Sequence, residues 1–296
     1  MTVTEMNYEV VHTTEYVYDG TISLCHNIAR LIPRSTTNQF CKKTNVRIDP
    51  QPDVMNEYID FFGNKVLYFA IQQEHKKLTV TVSSVISKDN TAPKTNYHQS
   101  MPWEEAKKIL GEQRPEYIDA KQYIPETPMT ESSPEITNYA LLSFTDGRPL
   151  FDAAFDLMHR IYKDFEFKAN FTTVATPVAT VMHERKGVCQ DFAQVAIACL
   201  RSLGLAARYV SGYIETLPLP GKEKLVGMDA SHAWFSVFIP HTGWIDFDPT
   251  NNQVPSDQHI TIGWGRDYAD IAPLKGVILS SGKHNLRVSV DVKRTG

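Results

Sequence analysis

The first 90 residues alternate between apolar and polar positions, which is typical of β-strands with one buried face. Between residues 7 and 18, one face consists of Tyr8, Val10, His12, Thr14, Tyr16 and Tyr18. The run 78–86 alternates in the same way, and Gly63-Asn64 lies between two apolar runs, where it predicts a hairpin turn. Short runs broken by Pro33, Pro50 and Pro52 predict an antiparallel β-sandwich or barrel-like domain over residues 1–90.

The pattern changes after Asp89. Residues 91–132 are polar and rich in proline, so we expect them to link two domains, with a short helix from Pro102 to Leu110. Farther along, apolar residues recur every three to four positions, and this period predicts helices over 133–144 and 151–163 and a short helix after Thr176-Pro177. The apolar stripe of the second of these helices is predicted to be Phe151, Phe155, Met158 and Tyr162.

The clearest helical pattern runs from Cys189 to Leu203. Its apolar positions follow a 3.6-residue period, and Gly204 provides a stop signal. Three strand-like runs follow, over 206–214, 231–239 and 244–247. Helices followed by antiparallel strands predict an α+β core over residues 133–296, which includes a C-terminal extension.

Charge and composition exclude several classes of protein. The 296 residues carry 30 Lys and Arg against 34 Asp and Glu, a net charge of −4, which argues against a polybasic nucleic-acid-binding protein. No apolar run approaches the roughly 18–20 residues that a membrane-spanning helix needs. The first seven residues lack the basic and apolar regions of a secretory signal. We therefore expect a cytoplasmic protein that binds neither nucleic acid nor membranes.

Among the four cysteines, Cys189 has the context of a reactive thiol. None of the four lies in a CxxC pair, which argues against a disulfide framework and a structural zinc site. Cys25, Cys41 and Cys199 fit the usual role of a structural thiol. Cys189 begins a predicted helix, where free amides and the helix dipole favour a thiolate and could stabilise an oxyanion. We expect Gly187 to allow close approach of substrate to the backbone, and Asp191 to support the helix start.

A nucleophilic cysteine needs a base and a group that orients this base. His232 is predicted to share a strand face with Trp234 and Ser236, and the next strand presents Asp246 and Asp248 on one face. Two adjacent antiparallel strands could bring either carboxylate within hydrogen-bond reach of the imidazole.

The segments around these residues resemble the core of the transglutaminase-like superfamily. Four segments carry the resemblance: 187–193, 200–213, 231–234 and 244–251. The sequence departs from the family pattern at Gln194 and Ala206, neither of which is a candidate site residue. The N-terminal β region is similar to that of bacterial members described as cysteine proteases, and 265–276 resembles their C-terminal signature. Within that signature, Arg266, Asp267 and Tyr268 are expected either to line the cleft or to form a loop salt bridge.

The resemblance implies a papain-like α+β fold and a catalytic triad of Cys189, His232 and Asp248, because the family's aspartate precedes a Pro-Thr dipeptide. It implies a cysteine peptidase that cleaves peptide or protein amides through a thioester acyl-enzyme, with no cofactor and no metal. A transglutaminase or glutamine deamidase with the same triad, and a non-catalytic peptide-binding module of the same fold, are the alternatives. No EF-hand-like loop suggests a requirement for calcium.

Overall fold

The computed structural model describes residues 5–89, 97–216, 230–278 and 283–295. Its β-rich first part contains β1 (Glu5–Ile22), β2 (Cys25–Ala29), β3 (Gln39–Asp49), β4 (Val54–Ile59), β5 (Lys65–Ile71) and β6 (His75–Asp89). The helices that follow are α1 (Trp103–Gly111), α2 (Ile118–Lys121), α3 (Pro134–Leu141), α4 (Leu150–Asp164), α5 (Val178–Glu184), α6 (Cys189–Ser202) and α7 (Tyr268–Ile271). The remaining strands are β7 (Glu166–Phe167), β8 (Lys186–Gly187), β9 (Ala207–Ile214), β10 (Ala230–Ile239), β11 (Gly243–Phe247), β12 (His259–Gly265), β13 (Leu274–Ile278) and β14 (His284–Arg294).

The N-terminal part is a sandwich of two antiparallel sheets, with the strand orders β14-β1-β6-β3 and β13-β2-β5-β4. Inward-facing side chains of both sheets share one core, to which Ile22 and Leu78 contribute from the first sheet and Phe69 and Ile71 from the second. The predicted hairpin is confirmed: β4 pairs with β5, and Gly63 in the turn has a φ of +78°.

The C-terminal strands complete this N-terminal sandwich. β14 pairs with β1 along its whole length, from Tyr8 opposite Arg294 to Tyr18 opposite His284, and β13 pairs with β2. The segment that follows the predicted core therefore returns to the first part of the chain. The division of the chain at residues 90 and 132 stays a prediction.

The second part is an antiparallel sheet of order β11-β10-β9-β12 with helices packed on one face, which confirms the α+β class. Phe235 and Phe247 project from the sheet into the core that it shares with α6, where Val195, Ala196 and Leu200 are fully buried. Helix α6 was predicted almost to the residue.

The stripe predicted for α4 is partly wrong. Phe155 and Tyr162 are 39% and 49% exposed, whereas Leu157 and Ile161 are fully buried. The buried face also includes the small residues Ala153 and Ala154, which let α4 lie close to its neighbours and turn the two aromatic rings outward. A second deviation is that α3 ends at Leu141, before the predicted end near residue 144.

The sandwich packs against the sheet of the second part through β9 and β12. Tyr8 and Val290 of the sandwich share an apolar cluster with Tyr213 and Ile260 of that sheet. Gln39 adds polar contacts: its Nε2 donates to the carbonyl of Thr261 (2.7 Å) and its Oε1 accepts from the Thr261 amide (2.9 Å). No helix in the described parts of the chain is long and apolar enough to cross a membrane.

Candidate active site

Cys189 is the first residue of α6, and the carboxylate of Asp191 fixes the start of this helix. Asp191 Oδ2 accepts a hydrogen bond from the amide of Val188 (2.8 Å), the residue before the helix, and from Thr172 Oγ1 (2.6 Å). Burial raises the pKa of Asp191, and these two donors oppose that effect. The predicted role of Asp191 at the helix start is confirmed.

Gly187 has a different role from the one expected. A Cβ atom at this position would lie 2.6 Å from Asp191 Oδ2 and 2.8 Å from its Cβ. Glycine is therefore required so that the Asp191 side chain can fold back over the chain and reach the Val188 amide. The contact with Asp191 is enough to explain why glycine occupies position 187, so the structure does not require the expected role in admitting substrate.

Two amides at the start of α6 are open. The amides of Asp191 and Phe192 donate to the carbonyl of Val188 (2.9 and 3.1 Å), whereas those of Cys189 and Gln190 have no acceptor among the described residues. Both residues border a cleft of about 280 Å³. The helix start thus presents free N–H groups beside the Cys189 thiol, which is the arrangement that an oxyanion requires.

His232 lines the cleft with Cys189 and contacts a buried carboxylate. It lies on β10 opposite Gly212, on the same face as Trp234 and Ser236, as the alternation predicted. Its side chain lines the cleft beside Cys189, and its Nε2 donates to Asp248 Oδ2 (2.8 Å). The structure therefore brings together the three residues that the sequence singled out.

Burial lowers the pKa of His232, but its hydrogen bond to Asp248 and its interaction with Cys189 outweigh burial and raise this pKa to about 10. Burial raises the pKa of Asp248, yet the donors around it hold that pKa well below its ordinary value. Asp248 is therefore ionised and His232 protonated near neutral pH.

Asp248 is held by several donors besides His232. The amides of Thr250 and Asn251 donate to its Oδ1 (2.9 and 3.2 Å), and Asn251 Nδ2 donates to its Oδ2 (2.7 Å). His259, on β12, donates from Nε2 to the same Oδ2 (2.9 Å). Burial lowers the pKa of His259, so this ring is a neutral donor.

Neither Asn251 nor His259 was predicted as part of the site. Asn251 belongs to the Asp-Pro-Thr-Asn turn. An aspartate that accepts hydrogen bonds from the amides two and three residues later is a recognised turn pattern, so the sequence could have indicated that Asn251 lies beside Asp248. No feature of the sequence pointed to His259. This residue lies close to Asp248 only because β12 pairs with β9, which the sheet order determines.

The ligand atoms of His232, Asp248 and His259 lie within 4.8 Å of one another, so these residues could hold a metal ion. However, both imidazole Nε2 atoms are at hydrogen-bond distance from one oxygen, Asp248 Oδ2. The group satisfies itself by hydrogen bonding, which fits a carboxylate that orients an imidazole better than a metal centre.

Asp246 does not contact His232. It lies on β11 opposite Ser236, and its Oδ2 accepts a hydrogen bond from Trp234 Nε1 (3.0 Å). The strand pattern allowed either Asp246 or Asp248 to orient the imidazole, and Asp248 is the one hydrogen-bonded to His232.

The cleft at Cys189 is closed on one side by the N-terminal sandwich. His12, Thr14 and Tyr16 of β1, together with Leu286 and Val288 of β14, form this wall. Burial lowers the pKa of His12 to about 4, so this ring is neutral near pH 7. Among the described residues that line the cleft there is no Lys, Arg, Asp or Glu.

The three candidates from the C-terminal signature take different roles. Tyr268 lines the cleft. Asp267 caps α7 by accepting from the Ala269 amide (2.8 Å), and Arg266 pairs with Asp270 (2.9 Å). One of the three is thus a cleft residue, and the other two organise the loop.

The other cysteines lie away from the cleft. Cys25 and Cys199 are fully buried, and burial raises the pKa of both thiols, that of Cys199 to about 12. Cys41 is partly exposed on β3.

Comparison with known proteins matches the two parts of this architecture. Residues 8–87 match the bacterial transglutaminase-like N-terminal region, and residues 143–249 match the transglutaminase-like superfamily. An uncharacterized protein of Mycobacterium tuberculosis strain H37Rv is 40% identical over 298 residues, covering 96% of this chain and 92% of that protein. The chain belongs to the transglutaminase-like superfamily. A relative in Mycobacterium leprae, also uncharacterized, is 32% identical over 288 residues, covering 96% of this chain and 98% of its own.

This member of the transglutaminase-like superfamily also resembles a solved structure. A "putative cysteine protease" from Cytophaga hutchinsonii has a TM-score of 0.76 at 19% identity, covering 99% of this chain and 91% of that one. At this identity the similarity establishes the fold alone. A protein-glutamine gamma-glutamyltransferase of Pseudomonas aeruginosa is 36% identical over 72 residues, 24% of this chain and 11% of that protein.

Proposed function

We propose that the protein is a thiol-dependent amide hydrolase, in which Cys189 is the nucleophile, His232 the acid and base, and Asp248 the residue that orients the imidazole. The observation that carries the proposal is that Cys189 and His232 line the same cleft and that His232 donates to the buried Asp248 carboxylate (2.8 Å). A peptidase is the form of this activity that we favour.

In the acylation step, the Cys189 thiolate attacks the carbonyl carbon of the amide. A C–S bond forms, and the carbonyl electron pair moves onto oxygen, where the open amides of Cys189 and Gln190 can donate. The tetrahedral intermediate collapses with cleavage of the C–N bond. The His232 imidazolium gives its proton to the leaving nitrogen, so the product amine departs neutral and a thioester remains on Cys189.

In the deacylation step, water attacks the thioester while neutral His232 accepts its proton. The C–S bond then breaks, the acid product leaves, and the thiolate–imidazolium pair is restored. Asp248 keeps its charge throughout and stabilises the imidazolium, as the aspartate of a triad does. Each donor to Asp248 helps to keep it ionised while His232 changes its protonation.

The lining of the cleft supports a neutral substrate segment. The sandwich wall contributes Leu286, Val288 and Tyr16 together with uncharged His12 and Thr14. An uncharged wall disfavours a charged side chain next to the reacting amide, because that charge would be buried without a partner. A peptide with an apolar or glutamine residue at the acyl position fits these walls.

An amine acceptor is a second candidate for the same acyl-enzyme. The observation that favours it is the 72-residue similarity to a protein-glutamine gamma-glutamyltransferase, which covers 24% of this chain. The two functions share the thioester and differ only in the nucleophile that attacks it.

One assay separates these activities. The full chain is incubated with a pool of glutamine-containing peptides, with and without a fluorescent primary amine, and peptide cleavage, ammonia release and amine incorporation are each measured. We expect cleavage of the peptide bond. Ammonia release without cleavage would indicate a deamidase, and amine incorporation a transferase.

The matched variants are Cys189→Ala and Cys199→Ala, since both thiols lie on α6 and only Cys189 borders the cleft. We expect Cys189→Ala to abolish all turnover and Cys199→Ala to retain it. Turnover that survives in Cys189→Ala would refute the proposed nucleophile. Binding of peptides by wild-type protein, with no turnover of any pool member, would favour the non-catalytic binding module.

A further inference from the structure

A second, larger cavity lies on the face of the β11-β10-β9-β12 sheet opposite α6. It has a volume of about 890 Å³ and is bounded by residues 36–38 and 61–63 of the sandwich, by Gln122 and Tyr123, and by side chains of the sheet. Cys189 and His232 do not line it. Its walls combine polar side chains with aromatic rings, and the proposed activity at Cys189 does not account for this cavity.

The most unusual wall residue is Arg208 of β9. Its guanidinium carbon Cζ lies 3.7 Å from the ring centroid of Trp264 and 4.2 Å from that of Trp244, so the charge is stacked between two indoles. The residue is only 8% exposed. Its Nε has no hydrogen-bond partner among the described residues, and no carboxylate of those residues lies within ion-pair distance of the guanidinium.

A second arginine strengthens the positive potential at this place. Arg34 stacks on Trp264, with its Cζ 3.3 Å from the ring centroid. Its Nη1 donates to the carbonyl of Phe62 (3.0 Å) and to Asn64 Oδ1 (2.9 Å), while its Nε has no partner among the described residues. Arg34 thus adds charge near the cavity without lining it, whereas Arg208 lines the cavity and can offer N–H groups to a ligand there.

The carboxylates near the cavity do not neutralise Arg208 by direct contact. Asp246 borders the cavity and attracts Arg208 across it, but its Oδ2 accepts from Trp234. Asp119 lies at the rim and is exposed to solvent, and Asp60, near Arg34, pairs with Arg30 (3.2 Å). Burial lowers the pKa of Arg208 to about 10, so the side chain stays charged near pH 7.

We propose that this cavity is a binding site for a small oxyanion, a carboxylate or a phosphate, held by the in-plane N–H groups of Arg208. Because two indoles stack against the guanidinium, an anion would approach along its edge, where planar N–H groups match two oxygens of one anionic group. A buried charge with no partner is costly, which gives the protein a reason to bind an anion here. The proposal is independent of the activity at Cys189.

The test uses the full chain and two probes, succinate and inorganic phosphate, titrated at constant ionic strength with chloride as the reference anion. Indole fluorescence and calorimetry report binding, since Trp244 and Trp264 flank the guanidinium. We expect saturable binding of at least one probe and none of chloride. The probe that binds more tightly identifies the class of oxyanion.

Three variants sharpen the result. Arg208→Gln should weaken binding at least tenfold, whereas Arg287→Gln, at a position 80% exposed on its side chain, should leave it unchanged. Cys189→Ala should also bind normally, which separates this site from the proposed active site. Equal binding by wild type and Arg208→Gln, or no saturable binding of either probe, would overturn the proposal.

If Arg208→Gln does not fold, wild-type crystals soaked in selenate test whether an oxyanion binds at Arg208. An anomalous peak within hydrogen-bond distance of the Arg208 guanidinium supports the site, and its absence there refutes it.

Discussion

His259 and Asp248 are joined by a hydrogen bond of 2.9 Å between the imidazole Nε2 and the carboxylate Oδ2. The same oxygen accepts from His232, so two imidazoles from different strands share one buried carboxylate. The Nδ1 of His259 has no partner among the described residues, which places the proton of this neutral ring on Nε2. We infer that His259 positions Asp248 for its contact with His232.

Replacing His259 should therefore affect catalysis through Asp248. We expect His259→Phe to lower kcat by roughly tenfold, the range seen when a partner of a functional ligand is lost, with little change in KM. It should also lower the pKa of His232, measured by NMR of its ring protons. His259→Gln keeps a donor and should restore most of both values. A loss of stability with kcat and the His232 pKa unchanged would mean that His259 is only structural.

Asp248 and Asp246 form a matched pair for testing the orienting carboxylate. Asp248→Asn should lower kcat by about 10²–10⁴-fold, because the imidazole loses its charged partner. Asp246→Asn should lower it far less, since Asp246 accepts from Trp234 and not from His232. Steady-state kinetics on an amide substrate measures both. An equal loss in the two variants would contradict the assigned role of Asp248.

The pH dependence of turnover should reflect the raised pKa of His232. The imidazolium is the protonated form, so it persists below its pKa of about 10 and is lost as the pH rises through that value. We expect kcat for an amide to fall in this range, because the leaving amine needs the proton of His232. A p-nitrophenyl ester, whose leaving group needs no proton, should show a much weaker decline. Identical alkaline limbs for the two substrates would contradict proton donation by His232.

Gly187 and Gly111 offer a test of the helix start. Gly187→Ala should destabilise the fold by about 1–3 kcal/mol, because the new methyl group collides with the carboxylate of Asp191. Gly111→Ala is the control, since a Cβ there meets nothing within 4 Å. Urea unfolding followed by tryptophan fluorescence measures both. A Gly187→Ala variant as stable as wild type would show that Asp191 can move without cost.

Local patterns predicted the local elements of the fold. Helix α6 was predictable because its apolar period is unbroken and Gly204 ends it, and His232 was predictable from the alternation along its strand. The choice of Asp248 over Asp246 came from the resemblance to the transglutaminase-like superfamily. Spacing alone misassigned part of the buried face of α4, because it selected Phe155 and Tyr162, whereas the small Ala153 and Ala154 lie in the packed face.

Contacts between segments that are far apart in the sequence could not be predicted from local hydrophobic patterns. β14 pairs with β1, so Tyr8 lies opposite Arg294, and no alternation pattern specifies a partner so far along the chain. His259 reaches Asp248 only because β12 joins the sheet beside β9. The cavity at Arg208 likewise requires three strands and the sandwich to meet. Such features depend on sheet order, which the sequence pattern leaves open.

The most direct test of the central claim is to trap the acyl-enzyme. Wild-type protein is mixed with an excess of an activated ester, quenched in acid within the first turnovers, and analysed by intact mass and peptide mapping. We predict a single acyl group attached to Cys189 as a thioester, which hydroxylamine removes, and no adduct in Cys189→Ala. Turnover with no acyl group on Cys189, or with the acyl group on another residue, would contradict the proposed mechanism.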